Sequence, residues 1–487
     1  ACTTSFRQRP VASNAAVRSG ASRSASIGHH RWLLHAFFPT TIDAKRSGGI
    51  RYTASYVGPE RIEKVVALPP TTAAGWSANG RWLALCTPVP SSGPEQDLHQ
   101  AQVIHVDGDQ FSEPVQVGDC TAFDWAPVSQ QLLVRSRSAW RLVDLSTLVP
   151  RQIPIAGELA ALLDWSPTGR RLLARSVDIP RRLRILDTSE SYLRVQSWDF
   201  HAHASNWCLW SPDDALVCVV DDPTGSRLEI RFASPTTPRS HVADGRVVSL
   251  AWVTPRKLVY ELENTGVYTF EAGTATQLFT PGDRQGLDYY RPSPRGGWLL
   301  DTASGHLRLW DLNAAPRSVE VSGVSGQLLD PRWSQNGEHA VVSVQHPLYR
   351  SRASEVWLLA DAAKDPQLGR IASAQPGMAL SAWFSPGSQW VIVSQESAVV
   401  PLAQDSSSAQ RGTPPGQTTA VHVASRTKVA LPLGLGDWAN DDSAFVAVDR
   451  ERGLMVFRVT AAAFAPPERV RALEPGRASI LWQPAPP

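Results

Sequence analysis

Residues 164–174 read DWSPTGRRLLA, and this stretch decides the fold. Asp164 and Trp165 end one apolar run, and Leu172, Leu173 and Ala174 begin another. Between them lies Ser166-Pro167-Thr168-Gly169. Proline cannot donate to a sheet ladder and glycine accepts turn geometry, so these residues reverse the chain between two strands. The phrase recurs as GWSANGRWLAL at 75–85, DWAPVSQQLLV at 124–134, LWSPDDALVCVV at 209–220 and AWVTPRKLVYEL at 251–262. It continues as YRPSPRGGWLLD at 290–301, RWSQNGEHAVVSV at 332–344, AWFSPGSQWVIVS at 382–394 and DWANDDSAFVAVD at 437–449.

The anchors of the nine phrases are Trp76, Trp125, Trp165, Trp210, Trp252, Arg291 in the Trp position, Trp333, Trp383 and Trp438, spaced 39 to 55 residues apart. That is the period of four-stranded propeller blades. A further strand with period-2 alternation follows most phrases, as in AWRLVDLS at 139–146, RLRILDTS at 182–189 and HLRLWDLN at 306–313. Helical periodicity is nearly absent. Tryptophan suits the joint between tilted sheets, because its large apolar body carries an N–H that still reaches a partner.

The phrase resembles the Trp-Ser-Pro-Asp-Gly repeat of TolB-like propellers, the WD-like repeat family of bacteria. The best matches are Trp165-Ser166-Pro167-Thr168-Gly169, Trp210-Ser211-Pro212-Asp213-Asp214 and Trp333-Ser334-Gln335-Asn336-Gly337. The resemblance covers about residues 60–465 and departs most at the fifth, sixth and ninth phrases. It implies a propeller that acts as an interaction partner in the bacterial envelope.

The fold class expected is therefore all-β, a propeller of four-stranded blades. Propellers hold roughly four to eight blades, so nine phrases point to eight blades, with seven to nine as the range and a surplus repeat irregular or beside the ring. Two small propellers are the alternative. The strand at 61–68 and the Trp-bearing strand at 479–484 complete a blade shared between the chain ends. The polar insert at 404–419 reads as a loop between strands of one blade. The domain division is a basic, acid-poor and mostly disordered leader at 1–50 and one propeller at 51–487.

That leader holds six Arg and one Lys against a single acid, Asp43, as transit peptides and secretion leaders do. Its Trp32, Leu33, Leu34, Phe37 and Phe38 form an apolar patch able to dock on the body or form a strand. Ala1-Cys2 resembles the junction at which lipoprotein signals are cleaved, which makes Cys2 a lipidation candidate.

Composition narrows the classes of function. A chain 43% hydrophobic with a net charge of +2 is no disordered polymer, and its apolar runs are too short to cross a bilayer as a helix. Only five of its 47 basic residues are lysine. Their even spread speaks for codon bias over a nucleic-acid face. The five cysteines show no zinc-ligand spacing and read as buried thiols, with Cys208 and Cys218 placed to pair across one hairpin.

Catalytic motifs are sparse. No Gly-x-Ser-x-Gly, phosphate-binding loop or His-Glu-x-x-His occurs. His201 and His203, with Asp199 at the same parity, are the metal-ligand candidates; the competing reading is a solvated inter-blade loop. Asp107-Gly108-Asp109, Asp221-Asp222 and Asp441-Asp442 read as hairpin-turn carboxylates rather than a calcium site. Gly434-Leu435-Gly436 begins like a dinucleotide fingerprint, but strand-forming residues follow it.

The reading is thus a non-enzymatic scaffold without cofactor. It binds protein partners through a propeller face or the channel mouth, in the periplasm or exported, with a cytoplasmic site as the alternative. The second function is a carbohydrate-active hydrolase or lyase with its site in the central pocket.

Overall fold

The structure is a computed structural model; it describes residues 31–39 and 52–482 apart from short connections, the longest of them 90–98, 232–238, 281–289 and 398–416. The described residues form antiparallel strands and no helix. Each phrase builds the same unit. In blade 3, strand Leu159–Trp165 pairs with Arg171–Ser176, which pairs with Arg182–Asp187, which pairs with Arg194–Asp199.

The turn owes its shape to the serine of the phrase. Ser166 is buried; its N–H donates to the Arg171 carbonyl and its Oγ accepts the Arg171 N–H. Ser77, Ser334 and Ser385 take the same place, each Oγ accepting the N–H five residues on. The fourth turn residue is left-handed, with φ of 70° at Gly169, 67° at Gly337, 65° at Asp214 and 60° at Asp442. Glycine meets that demand without strain, and Asp is among the side chains that tolerate it.

Strand order gives ten units among the described residues, nine of four strands and one, opening at residue 73, with the short strand Gln110–Phe111 as a fifth. Nine begin with a phrase: blades 1 to 9 start at residues 73, 122, 159, 203, 247, 290, 328, 378 and 436. The tenth is shared by the chain ends, with strand Gly476–Trp482 innermost, then Arg31–Pro39, Tyr52–Val57 and Ile62–Ala67. The apolar patch around Trp32 is thus a strand of this shared blade.

Ten hydrophobic clusters fill the ten joints between successive blades. Trp76, Leu83 and Ile104 of blade 1 meet Trp32, Leu34 and Tyr52 of the shared blade. On the other side of that blade, Leu33, Val57 and Trp482 meet Val446 and Leu454 of blade 9. The remaining clusters join blades 1 to 9 in order. The innermost strand Gly476–Trp482 touches the innermost strands of both blade 9 and blade 1. The ring is therefore one and closed.

Three sequence readings change. Among the described residues the ring has ten blades and not eight: every phrase makes a blade, and the tenth has no contiguous phrase because its inner strand and its other strands come from the two end regions of the sequence. Pairing with the second strand places Pro292 opposite Leu299 and Phe384 opposite Val391, as Trp165 stands opposite Leu172. Pro292 and Phe384 therefore hold the Trp position in blades 6 and 8, and Arg291 and Trp383 stand one residue before it. Four cysteines are paired rather than free, as Cys86–Cys120 and Cys208–Cys218. Blade geometry brings Cys120, just past the outer strand of blade 1, into the cluster that holds Cys86.

Candidate binding surface at the channel mouth

An innermost strand ends in the Trp position, and the Trp side chain turns into the joint with the preceding blade. Its indole N–H then meets the inner strand of that blade. Trp125 Nε1 donates to the Gly75 carbonyl at 2.9 Å, Trp252 to Leu209 at 3.1 Å, Trp333 to Arg291 at 2.8 Å and Trp482 to Asp437 at 3.3 Å. All four acceptors lie one residue before the Trp position. Strand alternation turns the side chain at that position to the opposite face, toward the following blade, as Trp383 packs in the joint of blades 8 and 9, so one such residue per blade stands at the turn end of an innermost strand, the mouth rim.

The rim is chemically divided. Asp124, Asp164 and Asp437 stand on blades 2, 3 and 9, while Arg291 and Arg332 stand on blades 6 and 7. Blades 9, 10, 1, 2 and 3 form one arc of the ring, and blades 6 and 7 lie across from it. Leu209 on blade 4 is 39% exposed, a large apolar side chain left open on an innermost strand. Trp383 on blade 8 is half-buried. Arg332 reaches sideways, its Nη1 donating to the Ala382 carbonyl of blade 8 at 3.3 Å.

Asp437 has an electrostatic signature. Its side chain is exposed on one side, yet protein surrounds it on the others, and this desolvation pushes the carboxyl up to about 6 although the Trp438 N–H donates to Oδ1 at 2.9 Å.

The turns around the mouth are tied to one another. Asp442, in the turn of blade 9, accepts the Ser385 hydroxyl at 2.5 Å, the Gly387 N–H at 2.8 Å and the Gln389 N–H at 3.4 Å, all from blade 8. Asp214 of blade 4 accepts the N–H and hydroxyl of Thr168 in blade 3. These clamps hold the rim residues on a rigid frame. Arg31 and Asp441, 2.8 Å apart, extend the series to the shared blade.

The candidates from sequence fall elsewhere. His201 and Cys2 lie outside the described residues, and of His203 only the backbone is described, opposite Asp221. Among the described residues, no three His, Cys, Asp or Glu side chains assemble into a metal-binding group. Asp107-Gly108-Asp109 is a hairpin turn whose Asp109 carboxylate meets Lys64 at 3.4 Å and Gln110 at 2.9 Å. Gly436 opens a strand, and the next element is strand Ala444–Asp449 where a dinucleotide site needs a helix. The rim was missed because its residue type varies; its signal was the place before each Trp.

No family model matches the chain, and no curated protein matches it. Among solved structures, the chain is similar to dihydro-heme d1 dehydrogenase NirN in complex with DHE, at 16% identity and a TM-score of 0.40, covering 75% of this chain and 80% of that one. It is also similar to Hsv2p of Kluyveromyces lactis, at 12% identity and a TM-score of 0.35, covering 62% of this chain and 97% of that one. Neither likeness bears on substrate or partner. No described helix is long and apolar enough to cross a membrane.

Proposed function

We propose that the protein is a non-enzymatic propeller that binds a protein partner at the turn-side mouth of its channel. One observation carries the reading: the rim sets three carboxylates on one arc against two guanidinium groups across the ring, with exposed Leu209 between them. Opposed charge around an apolar element steers and orients a protein surface of complementary pattern. Two disulfides support an oxidising compartment, hence a periplasmic or exported protein.

The test compares capture by the native chain and by a fourfold variant, Asp124→Asn, Asp164→Asn, Arg291→Gln and Arg332→Gln. A partner held by the native ring and lost by an equally stable variant supports the reading. Equal recovery by both proteins, or turnover of a sugar panel with no partner held, refutes it.

A further inference from the structure

Blades 7 and 8 are joined in a way that no other pair of described blades is. Strand Tyr349–Ala360 of blade 7 runs past the end of its own blade, and Ala353 pairs with Leu380 on the innermost strand of blade 8. A continuous row results, Gln345 opposite Ala353, Ala353 opposite Leu380, and Leu380 opposite Gln395. All four face the joint between the two blades.

Beside this row lies a cavity of about 200 Å³. Its floor is the buried apolar group Ile371, Leu380, Val393 and Val421. Its walls carry neutral polar side chains, Gln395 and Thr419 among them, and Lys428 stands at one edge. Gln395 is 9% exposed, and among the described residues its side-chain amide makes no hydrogen bond; Gln345, in the same row but outside the cavity lining, has Oε1 unpartnered. The Gln395 amide lines the cavity, so its donors and acceptor are open to whatever occupies it.

We propose that this inter-blade cavity is a binding site for one monosaccharide unit. Amide and hydroxyl side chains both donate and accept, as vicinal hydroxyls do, while the aliphatic floor takes the C–H face of a pyranose ring. The volume suits one ring and not a chain of them. The residues lining it include no carboxylate, so the site holds the acid and base of a glycosidase in neither geometry and binds without turnover. It lies apart from the channel rim and does not depend on the partner proposed there.

Titrating the full chain with D-glucose, N-acetyl-D-glucosamine and D-glucuronate, followed by saturation-transfer NMR and calorimetry, tests the site. One of the three is expected to bind saturably with a stoichiometry of one. Gln395→Leu should weaken that binding about tenfold or more while leaving the unfolding temperature unchanged. Thr419→Val, at a half-buried position, provides a second variant with the same expected loss. Absence of saturable binding by all three sugars, or binding unchanged in both folded variants, overturns the proposal and leaves the cavity to water.

Discussion

Asp442 shows how much one side chain of the repeat can hold. Its carboxylate gathers a hydroxyl and two backbone N–H groups from the neighbouring blade while itself 5% exposed, and burial pushes its carboxyl above the ordinary range against those hydrogen bonds. Asp442→Ala leaves three donors of blade 8 without their acceptor and should lower stability by about 3 kcal/mol, read by chemical denaturation. Asp437 acts through pH. Its carboxyl sits at about 6 in the folded ring against 3.8 for an ordinary aspartate, so the fold holds the proton more tightly than the unfolded chain does. That contribution is full below the unfolded value and is lost as pH rises from 3.8 to about 6. Melting temperature should therefore fall across that window in the native chain and fall less in Asp437→Asn; identical pH profiles would refute the assignment. Neither role was legible in sequence, because Asp442 read as a turn residue and Asp437 as the start of a phrase.

Strands and turns were the legible level. Trp, Ser and Pro act within a few residues of each other, so the phrase marks its turn wherever it occurs, and the strand after it follows from alternation. The anchor slipped in blades 6 and 8 because the fixed point of the turn is the serine: Ser293 and Ser385 sit two residues after Arg291 and Trp383, not one. Pairing between distant elements was harder to read. Cys86 and Cys120 lie 34 residues apart and meet because the intervening strand carries the chain to the outer edge of blade 1 and back, whereas Cys208 and Cys218 lie 10 apart in one hairpin. Loop-closure entropy assigns about 4 kcal/mol to the longer link and about 3 kcal/mol to the shorter. Cys120→Ala should accordingly lower the melting temperature more than Cys208→Ala, and calorimetry of the two variants checks the order.

At the scale of the molecule, closure was the step that local patterns conveyed least. The tenth blade takes three strands from residues 31–67 and one from residues 476–482. It is held on one side by Trp32, stacked on Phe111 at 4.4 Å and donating to the Gly108 carbonyl at 2.9 Å. On the other side Arg458 donates to the Gly58 carbonyl at 3.1 Å and the Ile62 N–H to Glu468 at 3.0 Å. A closed ring has no open joint, so each blade buries both faces and the rim charges keep fixed positions across the channel. The register sets Ala36 opposite Ser479, a pair from the two ends of the chain. Oxidation of the double variant Ala36→Cys, Ser479→Cys, followed by peptide mass spectrometry, tests closure most directly. A single ring predicts an intramolecular cross-link in the monomer and a higher melting temperature; unlinked thiols, or links found only between chains, would contradict it.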